Sequence, residues 1–408
     1  MSQDSTSHIE DTLLSLYTLR DFNHSQPHKL KQSQLQHLRE QVLSYLSEGP
    51  NISKSQLWYF RGRALAGSNS DLELAENYLS KAIKLDPDFT EAYLYLADVH
   101  TLRQQWVQAE RVLEASLILS KTPAALRLLS RVIRQTSKQS TIPQSLLDRS
   151  VSLAKEALDM DLNLGEGWLV YGLGLTTRFF HSLCPQLTDL DKALIAFNRA
   201  EKFDDQKTNP DVFFNRAQVL TYLECFAEAI NDFNTVLELD PGFSAANSAI
   251  ENIYSFSKLI WASLNRFELQ KKKKLSKLVN NWRNEIIQGS ELVSISDLDT
   301  SHVNVHVSLR IFCLVSDEER TPVSICCYDS EGSPIIVSLY EVKSNIFKPQ
   351  QNLTILKPKI RKQSLNLEGN TIDYQLISIR DSLSQIILQG EPLTTQFLSN
   401  PKLIVNQR

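Results

Sequence analysis

The sequence predicts a mostly α-helical chain of stacked antiparallel helix pairs that ends in a small all-β domain. Three observations predict it. An interval of small and bulky apolar residues recurs between residues 51 and 242. Past Ser290 that pattern gives way to short β-rich runs. Gly and Pro are sparse, 12 and 14 in 408 residues, which disfavours long disordered tracts and an all-β chain full of tight turns. The length itself favours two or three domains. The expected division is a helical N-terminal cap over 1–50, repeats over 51–242, a capping helix with a basic run over 243–290, and the β-domain over 291–408.

The best repeat runs from Asn209 to Pro241, with Phe213, Arg216-Ala217, Leu220, Ala229, Phe233, Val236 and Asp240-Pro241. A second spans Glu91 to Leu119, with Tyr93, Leu96-Ala97, His100, Ala109, Leu113 and Ser116 after the turn Asp86-Pro87. The unit before it reads Trp58, Gly62, Leu65, Ala75, Leu79 and Ala82. This is the spacing of a tetratricopeptide repeat, about 34 residues in two helices, with a small residue where the helices cross and a bulky one between repeats. A further copy holds Trp168, Tyr171-Gly172, Ala193, Phe197 and Ala200, with a long connection, from Arg178 to Leu190, around Cys184. Leu126 to Arg134 and Ser150 to Met160 read as a degenerate pair. Leu13-Leu14, Leu16-Tyr17, Leu35, Leu38, Val42 and Tyr45 mark the N-terminal cap. Stacked pairs share one continuous core and curl into a right-handed superhelix whose concave face is lined by the first helix of each pair. The repeat residues themselves are read as packing, so recognition must come from other positions on those helices.

After Pro241 a helical segment from Phe243 to Ile287 closes the stack, with Ile250, Ile253-Tyr254, Phe256, Leu259-Ile260, Leu264 and Phe267 at helical spacing. Strand runs follow at Val303 to Val315, Val323 to Tyr328, Ile335 to Tyr340, Leu353 to Leu356, Tyr374 to Ile379 and Gln385 to Leu388. The turn signals are Asp329-Ser-Glu-Gly332 and Glu368-Gly-Asn370. Roughly five strands in about 110 residues fit a small Greek-key barrel resembling an OB-fold, whose role is read as protein docking or structure in preference to nucleic-acid binding, because its aromatics are few and scattered.

A net charge of −4 implies neither nucleic acid nor an anionic membrane as a global partner. Five cysteines without metal-ligand spacing fit a reduced intracellular protein. No signal peptide and no run of roughly 18 apolar residues is seen, so a soluble protein is expected, without membrane partners. Motifs of serine hydrolases, zinc proteases, P-loops and zinc clusters are absent, so no enzyme, cofactor or metal is expected. Gly172-Leu-Gly174 lacks the third glycine of a dinucleotide loop, and Asp204-Asp205 and Glu318-Glu319 read as solvated loop charges.

Two features rise above this background. Arg134 ends one first helix, and Asp211 and Asn215 begin that of the best repeat; on a concave surface such groups clamp an extended peptide, although each alone reads more readily as a solvated charge. The second is Lys271-Lys272-Lys273-Lys274, with Lys277 and Arg283, on the capping helix. Four phosphate contacts would give a salt slope of about −2.8, enough to reinforce docking on RNA but not to specify it. A solvated face or an import-type patch reads the same run equally well.

Several segments outside the repeat consensus carry a more specific likeness: Leu16-Tyr-Thr-Leu-Arg-Asp21, Arg131-Val-Ile-Arg-Gln135, Asn209-Pro-Asp211 with Asn215-Arg-Ala217, the lysine run, and Tyr328-Asp-Ser-Glu-Gly332. By these the chain resembles the family of tetratricopeptide repeat protein 5, or Strap, along nearly its whole length. The resemblance implies a ribosome-associated factor that recognises the nascent Met-Arg-Glu terminus of α- and β-tubulin and triggers tubulin mRNA decay through a recruited decay adaptor. In that role the lysine run faces ribosomal RNA. Arg134 falls on the family's groove arginine, suited to the peptide glutamate, and Asp211 on a groove acid; a further groove glutamate of the family aligns with Ala245. The family's other described role is that of a nuclear stress-response coactivator scaffold for acetyltransferase and actin-regulatory cofactors. A cytoplasmic protein with a nuclear pool is thereby implied. A carboxylate-gripping cochaperone ranks last, since Asn215 alone supplies such a position.

Overall fold

The computed structural model describes residues 2–22, 28–49, 51–136, 142–182, 185–279, 287–298, 304–315, 322–340, 342–367 and 370–398. The chain divides into two compact units, 1–216 with 235–242, and 217–234 with 243–408.

The first unit opens with α1 (Ser2–Phe22) and α2 (His28–Ser47), followed by the pairs α3 (Lys54–Gly67) with α4 (Leu72–Leu85), α5 (Thr90–Leu102) with α6 (Trp106–Leu119), α7 (Pro123–Thr136) with α8 (Gln144–Met160), and α9 (Gly165–His181) with α10 (Leu187–Ala200). The best-matching repeat forms α11 (Pro210–Tyr222) and α12 (Phe226–Leu239). Each helix from α3 to α9 packs on the next, and α1, α3, α5, α7 and α9 also touch in series, so the first helices of the pairs line one face.

The repeat spacing explains why the pairs close. Gly62 sits where a Cβ would come within 2.6 Å of Leu79 Cγ, and Gly172 where it would come within 2.7 Å of Phe197 Cε1. The small residue of one helix receives the bulky residue of its mate, and Leu79, Leu113, Phe197 and Ala75 are fully buried. Each such large side chain is worth roughly 1.5–3 kcal/mol relative to exposure. Local signals set the ends: Ser53 and Gln56 form a capping box at α3, and Asp71, in the left-handed region at φ 49°, accepts from the Leu74 amide at the start of α4. The degenerate pair is present in full as α7 and α8, joined by Ser130 Oγ donating to Ser150 O at 2.8 Å and Ser150 Oγ donating to Ser130 O at 3.1 Å. The long connection expected from Arg178 to Leu190 is shorter than that, because α9 continues to His181 and α10 begins at Leu187; of the residues between them, 183–184 lie outside the described residues.

The second unit holds α13 (Ser244–Val279) and the strands β1 (Glu291–Leu292), β2 (Val305–Leu314), β3 (Val323–Tyr328), β4 (Pro334–Leu339), β5 (Asn352–Leu356), β6 (Ile360–Leu367), β7 (Asn370–Ile379), then α14 (Ser382–Gln385), β8 (Ile386–Leu388) and β9 (Glu391–Pro392). They form one sheet ordered β6-β7-β4-β3-β2-β5-β8-β9, with β1 added parallel to β2. The central pairs are antiparallel except β4 with β7, which run parallel. Val307, Leu309, Ile325, Val337, Leu339, Ile355 and Ile377 alternate onto one face and make a core in which each is at most 1% exposed.

The opposite face is covered as well, so β3 is buried throughout. Phe267 of α13 packs edge-on against Phe312, with centroids 5.3 Å apart, and on Tyr328 at 5.0 Å. The turn 223–225 covers the β4 end: Ser338 Oγ donates to Glu224 Oε1 at 2.6 Å, Tyr340 OH donates to Tyr222 O at 2.9 Å, and Gln363 Nε2 donates to Glu224 O at 2.9 Å. Six strands appear where the β-rich runs predict them, with β3 matched end to end. β6, which the β-rich runs do not include, pairs with β7 over its whole length, from Ile360↔Ile377 to Leu367↔Asn370. Its residues IRKQSLNL carry no β-branched run beyond Ile360; tertiary pairing overrides weak propensity there.

Candidate peptide-binding groove

The inner face of the first unit holds a cavity of roughly 490 Å³, lined from α1, α3, α5, α7 and α9. Its floor is aromatic. Tyr17, Tyr59 and Tyr95 surround the guanidinium of Arg63, which lies 5.8, 5.1 and 4.2 Å from their ring centroids. Arg63 is 6% exposed, and its Nη1 donates to Glu10 Oε2 at 2.6 Å and to Tyr59 OH at 3.1 Å. Burial pushes the phenols of Tyr17, Tyr59 and Tyr95 upward, so all three stay neutral hydrogen-bonding groups. The walls are alternating ion pairs. Arg20 Nη1 donates to Asp98 at 2.9 Å, Arg131 lies 3.8 Å from the same carboxylate, and Arg127 Nε donates to Glu166 at 3.0 Å. Four arginines and five acids line the space. A wall of both signs over an aromatic floor suits a peptide with charged side chains better than a polyanion.

The three expected groove residues fall at different places. Arg134, one turn beyond Arg131 on α7, is 8% exposed and does not line the cavity. Its Nη1 donates to Ser130 Oγ at 2.8 Å and lies 3.5 Å from Ser150 Oγ. No carboxylate pairs with it among the described residues, and burial, with Arg131 as a second cause, pushes its pKa down to about 9. Asp211 is exposed in the first turn of α11, and its amide donates to Asn209 Oδ1 at 3.0 Å. Asn215 is 8% exposed and spends its amide on Asp211 O at 2.7 Å. The structure therefore joins Asp211 to Asn215 directly, and Arg134 to the two serines.

Sequence reasoning passed over Tyr59, Arg63, Tyr95, Asp98, Arg127 and Glu166. The available signal was their placement three or four apart on the first helices, Tyr59/Arg63, Tyr95/Asp98 and Arg127/Arg131, beside the consensus positions. Tyr17, Arg20 and Asp21 lie within the segment Leu16 to Asp21, already singled out as foreign to the repeat consensus, and they line the cavity.

In the second unit, Lys272 and Lys273 are exposed on α13, and half-buried Lys271 lies 3.8 Å from Glu268. The side chains of Lys274 and Lys277, and Arg283 altogether, lie outside what is described. Glu224 is the unit's anomalous carboxylate: φ is 58°, exposure is 2%, and burial raises its pKa to about 7 against the lowering pull of Ser338 and Arg361. Ala245 is the second residue of α13 and half-buried. Among the described residues no group of His, Cys, Asp and Glu could hold a metal ion, and no helix is long and apolar enough to cross a membrane.

Comparison with known proteins agrees with this layout. Residues 290–402 match the model of the tetratricopeptide repeat protein 5 OB fold domain, and residues 68–132 match a tetratricopeptide repeat model. Tetratricopeptide repeat protein 5 of Homo sapiens is 25% identical over 413 aligned residues, covering 94% of this chain and 92% of that protein. The Mus musculus protein of the same name is 26% identical, covering 92% of this chain and 91% of its own length. The crystal structure of YrrB, a TPR protein with an unusual peptide-binding site, overlays 51% of this chain and 97% of its own at 18% identity and a TM-score of 0.36. The helix pairs are tetratricopeptide repeats, the sheet domain is of the OB-fold type, and such a repeat array is a protein-binding adaptor scaffold. With a match to the tetratricopeptide repeat protein 5 OB fold domain at one end, a repeat match ahead of it, and likeness along almost the entire length, the chain is similar throughout to tetratricopeptide repeat protein 5.

Proposed function

We propose that this protein is a non-enzymatic adaptor that binds the nascent Met-Arg-Glu terminus of α- and β-tubulin at the ribosome, leading to decay of the tubulin mRNA. Arg134 carries the reading. The buried or nearly buried arginines Arg20, Arg63, Arg127 and Arg216 each have a carboxylate partner. Arg134 has only hydroxyls among the described residues. A buried cation left without its anion is costly to the free protein and favourable to a ligand carboxylate, here the peptide glutamate. Exposed Asp211 is suited to the peptide's basic side chain or terminal amine. Ala245 stands where the family has a groove glutamate, so either the peptide is held with one contact fewer or that acid is supplied from elsewhere.

The exposed lysines of α13 supply contacts to ribosomal RNA in this scheme. Cleavage of the mRNA is assigned to recruited partners, through a decay adaptor. The site of action is the cytoplasm, with a nuclear pool for the coactivator role described in the family.

The direct test is binding of a fluorescent Met-Arg-Glu-Ile peptide to the purified protein, beside a Met-Arg-Ala-Ile peptide and the Arg134→Met variant. Losing one partner of the desolvated pair is expected to cost about 2–5 kcal/mol, roughly thirtyfold or more in affinity. Equal binding of both peptides removes Arg134 as the glutamate reader. Absence of binding where the human relative binds moves the coactivator scaffold to first place.

A further inference from the structure

The second unit contains a cavity of roughly 330 Å³ lined by Lys359, Arg361, Ser378, Arg380 and Gln385. The β6/β7 register explains this lining. Ile360 faces Ile377, and both turn with Ile379 toward the apolar core, so alternation sends Lys359 and Arg361 along one strand line and Ser378 and Arg380 along the next to the opposite face. Three cations thus meet over one hydroxyl and one amide with no acid among the lining residues, and the acid that reaches Arg361 and Ser378, Glu224, is held toward its neutral form by burial.

Arg361 is preset there. Its Nη2 donates to Ser378 Oγ at 2.5 Å and to Leu223 O at 3.1 Å, and its Nη1 lies 3.6 Å from Cys225 Sγ. Gln385 is likewise fixed, donating from Nε2 to Leu356 O at 3.2 Å. Planar guanidiniums and a mobile ammonium around a hydroxyl are the groups that recognise a phosphoryl oxygen set, and holding them before the ligand arrives lowers the entropy lost on binding.

We propose that this cavity is a binding site for a small, multiply charged phosphorylated ligand. The volume lies at the low end for ligand sites and fits a phosphate-bearing group of compact size. A nucleic-acid strand is disfavoured because no aromatic side chain lines the cavity for base stacking, and because the cations cluster at one point of a two-strand ladder instead of tracking a backbone.

The test is calorimetric titration of the full-length protein with inorganic pyrophosphate, and with a single-stranded RNA decamer, for the native chain and for Lys359→Gln and Arg380→Gln. Lys359 is exposed, so its variant reports on the site without threatening the fold, and melting curves check both variants. The expected result is saturable one-to-one binding of pyrophosphate, weakened about tenfold or more in each folded variant. Absence of saturable binding, or equal binding by native chain and variants, overturns the proposal. RNA binding that depends on Lys359 and Arg380 and is not displaced by excess pyrophosphate overturns it in favour of a polymer ligand.

Discussion

Replacing Arg134 by Met is expected to stabilise the free protein while removing recognition of the peptide carboxylate. The magnitude follows from the site. Burial lowers the guanidinium pKa from the usual arginine range to about 9, which corresponds to about 5 kcal/mol disfavouring the charged form. The sign is that of a cation with a depressed folded-state pKa. The unfolded chain holds the proton more tightly, so the whole penalty is present at neutral pH and is relieved only as pH rises above about 9. Against it stand the charge-assisted bonds to Ser130 and Ser150, worth about 1.5–3 kcal/mol each at most. The second is long, at 3.5 Å, and contributes least. Neither serine is orphaned by the substitution, because each hydroxyl also donates to the other residue's carbonyl. A flexible thioether fills most of the vacated volume.

The net expectation is a gain of about 1–3 kcal/mol, in keeping with other replacements of buried charges by apolar residues. In a domain of this size that raises Tm by a few degrees. Calorimetry of Arg134→Met, with peptide titration on the same preparation, gives both readouts. A fall in Tm of several degrees refutes the reasoning, since it makes the arginine a structural group satisfied in the absence of ligand. A stabilised variant that still prefers the glutamate peptide refutes the assignment of the reader.

Four further outcomes are expected. Glu224→Gln should flatten stability against pH: the native carboxyl, raised from 4.5 to about 7, favours the fold below pH 4.5 and loses about 3 kcal/mol as pH climbs to 7, so denaturant midpoints at pH 5 and 8 should converge in the variant. Gly172→Ala should lower Tm despite alanine's better helix propensity, because its Cβ would meet the Phe197 ring at 2.7 Å and overpacking costs about 1–3 kcal/mol. Arg63→Lys should destabilise the first unit by about 1–2 kcal/mol in chemical denaturation, since an ammonium cannot stack among three tyrosines while reaching Glu10. Lys272→Glu with Lys273→Glu should reduce co-sedimentation with translating ribosomes and flatten its salt dependence, leaving peptide affinity in solution unchanged.

Legibility in the sequence followed the physics of each element. The repeats were readable because crossing helices demand a small residue at one interval and a bulky one at another, as at Gly62/Leu79 and Gly172/Phe197. Strands with Val, Ile and Tyr were readable for the same kind of reason, whereas β6 was not: its pairing comes from β7, and its Arg361 and Gln363 each donate to a carbonyl of the turn 223–225. The candidate groove was harder still. Arg134 and Arg131 are three apart on one helix and alike in sequence, but only contact with α8 and α9 decides that one is enclosed beside Ser150 and Gly174 while the other pairs with Asp98. Glu224 was hidden because a carboxylate in a turn reads as solvated until the sheet is placed over it.

The two arginines 71 positions apart on first helices of the same stack show how one scaffold can separate stability from recognition. Arg63 is buried with Glu10 and among three tyrosine rings, so its charge is satisfied within the fold and its removal should cost stability. Arg134 is buried to a similar degree beside two hydroxyls and a like charge, so its charge is satisfied poorly within the fold and its removal should not. A group that the fold does not need, held where it is expensive to hold, is the expected form of a site whose favourable energy is completed by a ligand. The same comparison predicts opposite signs for Arg63→Met and Arg134→Met in one denaturation experiment, the first lowering the midpoint and the second raising it. Two shifts of the same sign would mean that burial alone, and not the presence of a counter-charge, governs both.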